Sequence, residues 1–336
     1  MNRMRTSDDP DTQRKAFEAS WRMAAKAIAL QRIDGLKVRC PSCRKLGYAV
    51  SKWVQGIRVK PLYVVHTNGD GYFKPCALDD GQAKCVRDAV GLTSRDVLKI
   101  LRMGRPFVLF SGGSDSLCLL QYVLKLSAKT GIEVTALHAD TTAGLPQVER
   151  YVKSVCKKLG VRLVVVRPPR DYFELAKRWG IPGVRARWCC ETLKIAPIRR
   201  YLATIEGPKV VLDGIRAAES NLRATYVPVW YHPSFRCISA SPIFYWSDKK
   251  VDSRVRESGL PLSPSYAMGT SGECWCGAYK CRADFEGLLR VSPEIFDKLV
   301  KVEDAQKGRF TFLFEDGKRV PLRAVKKAVA AKRSNP

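Results

Sequence analysis

The sequence predicts an α/β protein, a doubly wound parallel sheet preceded by a smaller cysteine-bracketed domain. Three observations predict it. From about residue 91, short apolar runs alternate with amphipathic stretches of helical period, as when strands are covered by helices on both faces. A turn rich in Gly and Ser joins the first buried run to the helix after it. Between residues 36 and 90 the chain is instead β-like and Gly-rich, with four cysteines around it. The chain has 336 residues, 46% of them hydrophobic, which suffices for a sizeable core and excludes whole-chain disorder.

The elements follow in order. Residues 11–32 have helical period, with Phe17, Trp21, Ala24, Ala25 and Ile28 on one face. They give an N-terminal helix as the first division of the chain, 1–35. The β-like domain, 36–90, carries a turn at Asn68-Gly69-Asp70-Gly71. In the main domain, 91–300, Thr93 or Ser94 caps a helix through Leu101. Strands are expected at Pro106–Phe110, Ile132–His138, Val161–Arg167 and Lys209–Asp213. Helices are expected at Ser114–Lys129, Gln147–Leu159, Asp171–Trp179 and Glu191–Ile205. A basic extension, 301–336, completes the chain. The apolar runs are far too short to cross a bilayer, and Met1–Ser20 lacks the unbroken apolar stretch of a secretory signal, so a cytoplasmic protein without a membrane is expected.

Charge narrows the partner. Fifty-nine Lys and Arg against 32 Asp and Glu give +27, which points to a polyanion, nucleic acid first. A basic surface without a partner is the alternative. Gly317–Pro336 carries seven Lys or Arg and no acid, either as a binding segment or as a solvated helix face or frayed tail.

The twelve cysteines fall into groups, and a reducing compartment argues against disulfides. Cys40-x-x-Cys43 is a metal-knuckle spacing, and Cys76 and Cys85 would close a tetrahedral four-sulfur site. This reads as a zinc ribbon with a structural Zn²⁺, His66 being a candidate substitute ligand. The second group is Cys189-Cys190, Cys274-x-Cys276 and Cys281. Four thiolates of five could hold an iron–sulfur cluster or zinc, or the cysteines could stay unligated and carry sulfur. Cys118, Cys156 and Cys237 stand alone and read as small packing residues.

Ser111-Gly112-Gly113-Ser114-Asp115-Ser116 joins a buried strand to a helix. Glycines let the backbone approach an anion, serines add hydroxyl donors, and a helix N-terminus adds free N–H groups. The absence of Gly-Lys-Ser/Thr separates it from the Walker loop. This stretch looks like the signature of the PP-loop ATP pyrophosphatase superfamily, which cleaves ATP between the α and β phosphates. Three further stretches resemble the branch of PAPS-reductase-like proteins. They are Cys189-Cys190-Glu-Thr-Leu-Lys194-Ile-Ala-Pro197, then Gly214-Ile-Arg216-Ala-Ala-Glu219-Ser220-Asn-Leu-Arg223, and a closing series ending at Gly259-Leu-Pro-Leu-Ser-Pro264-Ser-Tyr266. Leu137-His138-Ala-Asp140-Thr141 resembles that branch's Asp-Thr-Gly loop.

The resemblance spans roughly residues 91–300 and implies a Rossmann-like, adenine nucleotide alpha hydrolase-like fold. It implies that Ser111, Gly112, Gly113, Ser114, Asp115 and Ser116 cradle the phosphates of ATP, PAPS or APS, and that Asp140 is among the nucleotide-binding residues. Asp115 is expected to cap the helix or hold Mg²⁺. Lys194, Arg199, Arg216 and Arg223 are the cations expected around the nucleotide, with Glu219 orienting Arg216. In some members of that branch a Cys-Cys pair and a downstream pair hold a [4Fe-4S] cluster. Here the downstream pair is Cys-x-Cys, with Cys281 as a fifth candidate or a reactive thiol.

Assimilatory reductases of the branch attack with a cysteine in a C-terminal Glu-Cys-Gly-Leu/Ile-His segment, and no cysteine follows Cys281 here. The leading expectation is therefore ATP-dependent adenylation and thiolation of a nucleic acid, tRNA or DNA, fed by a sulfur-donor protein. A PAPS/APS reductase using another thiol, or a nucleic-acid-binding accessory subunit holding nucleotide without turnover, are the alternatives. Among the residues, Asp115, Lys194, Arg216 and Cys281 are the expected catalytic set. Proteins of this kind are often dimers, and the sequence carries no interface signature.

Overall fold

In this computed structural model, residues 92–184, 186–220, 223, 226, 228–232, 234–269 and 274–334 are described, with the backbone alone for 332–334 and for strands within 37–77. The helix expected over 11–32, the turn at 68–71 and three of the proposed zinc ligands, Cys40, Cys43 and Cys85, lie outside the described residues.

Four strands, β1 (Lys37–Arg39), β2 (Leu46–Val54), β3 (Ile57–Thr67) and β4 (Phe73–Ala77), form an antiparallel meander in chain order. Cys76 sits in β4, with its backbone opposite Val64.

The main sheet has six strands: β5 (Arg105–Leu109), β6 (Thr135–Ala139), β7 (Arg162–Val166), β8 (Lys209–Leu212), β9 (Val229–His232) and β10 (Cys237–Ala240). Their order is β7-β6-β5-β8-β10-β9. The pairs β6–β7, β5–β8 and β8–β10 are parallel, and β9 joins the edge antiparallel to β10. The expected parallel sheet is thus present, with an antiparallel edge added by a hairpin that the sequence reading did not resolve. No helix among the described residues is long and apolar enough to cross a membrane.

The chain divides into two compact units interleaved in sequence. In the first, helix α1 (Ser94–Leu101) starts where expected. The Thr93 hydroxyl accepts from the Asp96 N–H at 3.2 Å, and the Asp96 carboxylate accepts from the Thr93 N–H at 3.0 Å. Val97, Ile100 and Leu101 of α1, and Val210, Val211 and Leu212 of β8, are buried in this unit.

The second unit holds the Gly/Ser turn, β6, β7 and most of the later helices. Helix α2 (Ser114–Ser127) begins at that turn, and α3 (Pro146–Lys158) starts on a proline, whose missing N–H costs nothing in a first turn. Helix α4 (Tyr172–Trp179) is capped by the Asp171 carboxylate, which accepts from the Glu174 N–H at 2.8 Å, and stops at Gly180, φ 80°. The helix expected over Glu191–Ile205 opens with a π-helical turn, Cys190–Ile195, before α5 (Ala196–Ala203). Pro197 explains it: a proline ring clashes with the carbonyl four residues back and has no N–H to give, and a widened turn relieves both.

After α6 (Asp248–Glu257) of the first unit come α7 (Arg282–Val291), α8 (Pro293–Ala305), the hairpin β11 (Leu313–Glu315) and β12 (Lys318–Val320), and α9 (Leu322–Ser334). The buried Glu303 carboxylate accepts from the Phe312 N–H at 3.1 Å, the Thr311 hydroxyl at 2.7 Å and the Leu322 N–H at 2.6 Å. The basic extension is therefore folded, and it ends in a helix whose Leu322 and Val325 are fully buried. Two of its cations, Arg323 and Lys326, pair with Asp304 and Asp297 of α8.

Candidate active site

The Gly/Ser turn leaves the carboxyl end of β5. Gly112 has φ 95°, a conformation side chains rarely adopt, and a Cβ there would meet the Tyr151 ring at 3.4 Å. The Ser116 hydroxyl donates to the Gly113 carbonyl at 2.9 Å and lies 3.2 Å from the Ser111 hydroxyl. The Ser114 N–H, at the start of α2, donates to the Tyr266 hydroxyl at 3.0 Å, and the two hydroxyls are 2.8 Å apart. In the sequence Tyr266 reads only as the end of a motif; here its oxygen takes the place of an acceptor at a helix N-terminus. Asp115 is half-buried in the first turn of α2. Tyr151, beside Gly112, is pushed up to about 12 by burial, and its hydroxyl has no partner among the described residues. A buried orphan of this kind beside a backbone turn suits a polar ligand.

The carboxyl end of β6 is held to the same turn. The Phe110 N–H donates to the Leu137 carbonyl at 3.0 Å, and buried His138 donates from Nδ1 to the Phe110 carbonyl at 2.8 Å. Beyond β6, Asp140 accepts from the Thr142 N–H at 3.0 Å and from Arg167 Nε at 2.8 Å. Arg167 also pairs with Glu149, which it and Lys153 hold at about 2. Thr142 has φ 55°, strained for a β-branched residue. Its hydroxyl accepts from the Tyr172 N–H at 2.9 Å, which helps fix it there.

The second cysteine group is built onto this loop. Gly144 bridges to Cys274, and the Trp275 N–H donates to the Ala143 carbonyl at 2.8 Å. The Cys189 and Cys276 sulfurs are 3.6 Å apart, and those of Cys274 and Cys276 are 3.7 Å apart. A hydrogen bond to Cys190, joined by burial, pushes Cys189 up to about 12 and draws Cys190 down. Hydrogen bonding to Cys189, with burial, pushes Cys276 up to about 11. Buried Tyr172 donates to the Cys276 carbonyl at 2.9 Å, and its ring meets Trp188 and Trp275. Cys281 stands elsewhere, exposed at the N-cap of α7, where its N–H donates to Asp284 at 2.7 Å. Four of the five expected thiols are thus brought together. Their chemistry suits a thiolate-ligated centre. Their spacing is that of thiols in direct contact, and no group of three or more Cys, His, Asp or Glu among the described residues encloses a metal position.

The expected cations are placed variously. Lys194 is half-buried in the π-helical turn, and exposed Arg199 pairs with Glu191 at 3.0 Å. In the first unit, Arg216 is buried after β8, with its guanidinium on Asp248 at 2.8 Å and on the Trp246 carbonyl at 3.1 Å. Glu219 accepts from the Arg216 N–H at 2.8 Å and pairs with Arg223. Asp213 follows β8, accepting from the Ser241 hydroxyl at 2.6 Å and the Ile215 N–H at 3.1 Å, with desolvation raising its carboxyl. Sequence reading missed Asp213, although it precedes the Gly-Ile-Arg motif directly.

Residues 105–293 match the phosphoadenosine phosphosulfate reductase domain. The chain belongs to that family. Phosphoadenosine phosphosulfate reductase domains belong to nucleotide-dependent enzymes, and the Gly/Ser turn, the four thiols and Arg216 all fall inside the matched span. An uncharacterized Methanocaldococcus jannaschii protein is 28% identical over 218 residues, covering 63% of this chain and 44% of the relative. The chain thus spans under half of that relative. The adenosine 5'-phosphosulfate reductase of Streptomyces coelicolor is 25% identical over 186 residues, covering 54% of this chain and 69% of that protein. Among solved structures, phosphoadenylyl-sulfate reductase from Candida auris in its phosphate complex aligns with a TM-score of 0.44 at 20% identity, covering 60% of this chain and 97% of that one.

Proposed function

We propose that this member of the phosphoadenosine phosphosulfate reductase domain family is an ATP-dependent enzyme that adenylates and thiolates a nucleic acid. One observation carries the reading: a phosphate-type turn and a four-thiol cluster stand at the carboxyl ends of β5 and β6 within one compact unit. Ligands of open α/β sheets bind at those ends.

In this reading a substrate oxygen attacks the α-phosphorus of ATP, and the α–β phosphoanhydride bond breaks. Pyrophosphate leaves with that electron pair into the Ser111–Ser116 turn, whose N–H and hydroxyl groups stabilise the growing charge. A sulfur nucleophile then attacks the activated carbon and AMP departs. Asp115 would hold Mg²⁺, and Asp140, Lys194, Arg199, Arg216, Glu219 and Arg223 would serve the nucleotide. Cys189, Cys190, Cys274 and Cys276 would hold a [4Fe-4S] cluster or zinc, whose coordination the four thiolates complete, so that a free thiol would carry the sulfur. Cys281, outside the cluster, would serve as a reactive thiol. A second, structural zinc would sit on Cys40, Cys43, Cys76 and Cys85. A sulfur-donor protein would complete the cycle, and the +27 charge supports a nucleic-acid substrate.

ATP–pyrophosphate exchange, measured anaerobically with and without bulk tRNA or DNA, tests the reading. Exchange stimulated by nucleic acid is expected, and no exchange under any of these conditions rejects it. The family match and the Streptomyces relative favour a second reading, a reductase of adenylyl sulfates. Sulfite released from PAPS or APS with a thiol reductant, indifferent to nucleic acid, would select it.

A further inference from the structure

Beside the thiol cluster the second unit exposes aromatic rings that a folded protein would ordinarily bury. Trp179 is 46% exposed, Phe310 45% and Tyr279 64%. They are neighbours. Trp179 meets Trp188 at 5.5 Å between centroids, and the Trp188 indole donates to the Gly180 carbonyl at 3.2 Å. A Cβ on Gly180 would stand 2.9 Å from the Phe310 ring, so that ring packs against bare backbone. Tyr279 is reached through Arg187, whose guanidinium lies 5.3 Å from its ring centroid. The link to the cluster is short: Trp188 precedes Cys189, Tyr279 follows Cys276 by three residues, and Tyr172 touches both Trp188 and the Cys276 carbonyl.

An exposed arginine accompanies each ring: Arg187 lies over Tyr279, and Arg178 and Arg309 precede Trp179 and Phe310 in the chain. None of the three is paired with an acid among the described residues, whereas Arg323, Lys326 and Arg282 of the same unit are. Exposed ring faces alternating with unpaired guanidinium groups are complementary to one kind of polymer. Rings offer stacking platforms to unpaired bases, and guanidinium groups hold phosphates and stack as well. A duplex hides its base faces and would use the cations alone.

We propose that the surface of Trp179, Tyr279, Phe310, Arg178, Arg187 and Arg309 binds single-stranded nucleic acid and presents an unpaired base to the thiol cluster. The inference deepens the function proposed above, resting on it for the reason a strand comes to this site. The binding itself rests on the rings and charges.

Fluorescence anisotropy of the full chain with a labelled oligouridylate of about 12 nucleotides tests it. The wild type binds this probe more tightly than a duplex of equal length. Trp179→Ala and Phe310→Ala each weaken binding about tenfold, Trp179→Phe restores it, and Arg187→Ala lowers the slope of log affinity against log salt by about one. An unchanged thermal midpoint shows that the variants are folded. Wild-type affinity in folded alanine variants overturns the proposal, as does equal binding of the duplex. So does a dimer that Trp179→Ala converts to monomer, which would make the face a contact between copies. Loss of pyrophosphate exchange with probe binding intact sinks the proposed reaction and leaves this surface standing. Intact exchange with no probe binding does the reverse.

Discussion

Glu303 answers three donors from two segments with one buried side chain. Removing it strands two buried N–H groups. Glu303→Ala is expected to cost about 3 kcal/mol, read as a fall in the urea midpoint at unchanged slope. Glu149 gives a pH signature instead. Arg167 and Lys153 hold it at about 2, against 4.5 for the free group. A lowered carboxyl adds stability above its unfolded value, and that part is lost as pH falls from about 4.5 toward 2. Glu149→Gln should therefore be less stable than the parent at pH 7, with the gap closing across that window in paired urea titrations. The Arg167 side chain is half exposed, so the gap is small. At this scale the sequence displayed residue types better than partners. Ser111 to Ser116 were recognisable because the turn's chemistry is local. Tyr266 on Ser114 was not, because 152 residues separate them.

Among the elements, close approach of backbones decides what can change. A Cβ on Gly287 would lie 1.8 Å from the Met268 carbonyl oxygen, so the turn Pro264–Met268 sits directly on the backbone of α7. Gly287→Ala should cost about 2–3 kcal/mol, lowering the thermal midpoint by several degrees. The elements easiest to foresee were those with local signals: Thr93 capping α1, the buried run of β5, and the helical period of α3 and α4, whose proline and cap starts only the structure shows. The hairpin β9–β10 escaped because its strands are four residues long, and Cys237–Ala240 is buried on both faces, which erases alternation. The π-helical turn escaped because helical period does not distinguish it from an ordinary turn.

At the scale of the whole molecule, the doubly wound class was legible because strand and helix alternation needs no knowledge of distant pairs. The convergence of Cys189, Cys190, Cys274 and Cys276 was foreseeable only as a grouping, since spacing fixes neither distance nor metal. Protein purified and reconstituted without oxygen should show a broad thiolate-to-iron absorption and bound iron. Cys276→Ser should lose most of both, while Cys281→Ser keeps them. A colourless reconstituted protein holding zinc alone would return the site to a tetrahedral metal.

The Glu303 latch has one more consequence. Because a single side chain closes the start of one helix and the approach to the preceding hairpin, α9 has no easy way to peel away turn by turn from its start. Amides in its first turns and that of Phe312 should therefore exchange with heavy water at one common rate, as a block that opens together or stays shut.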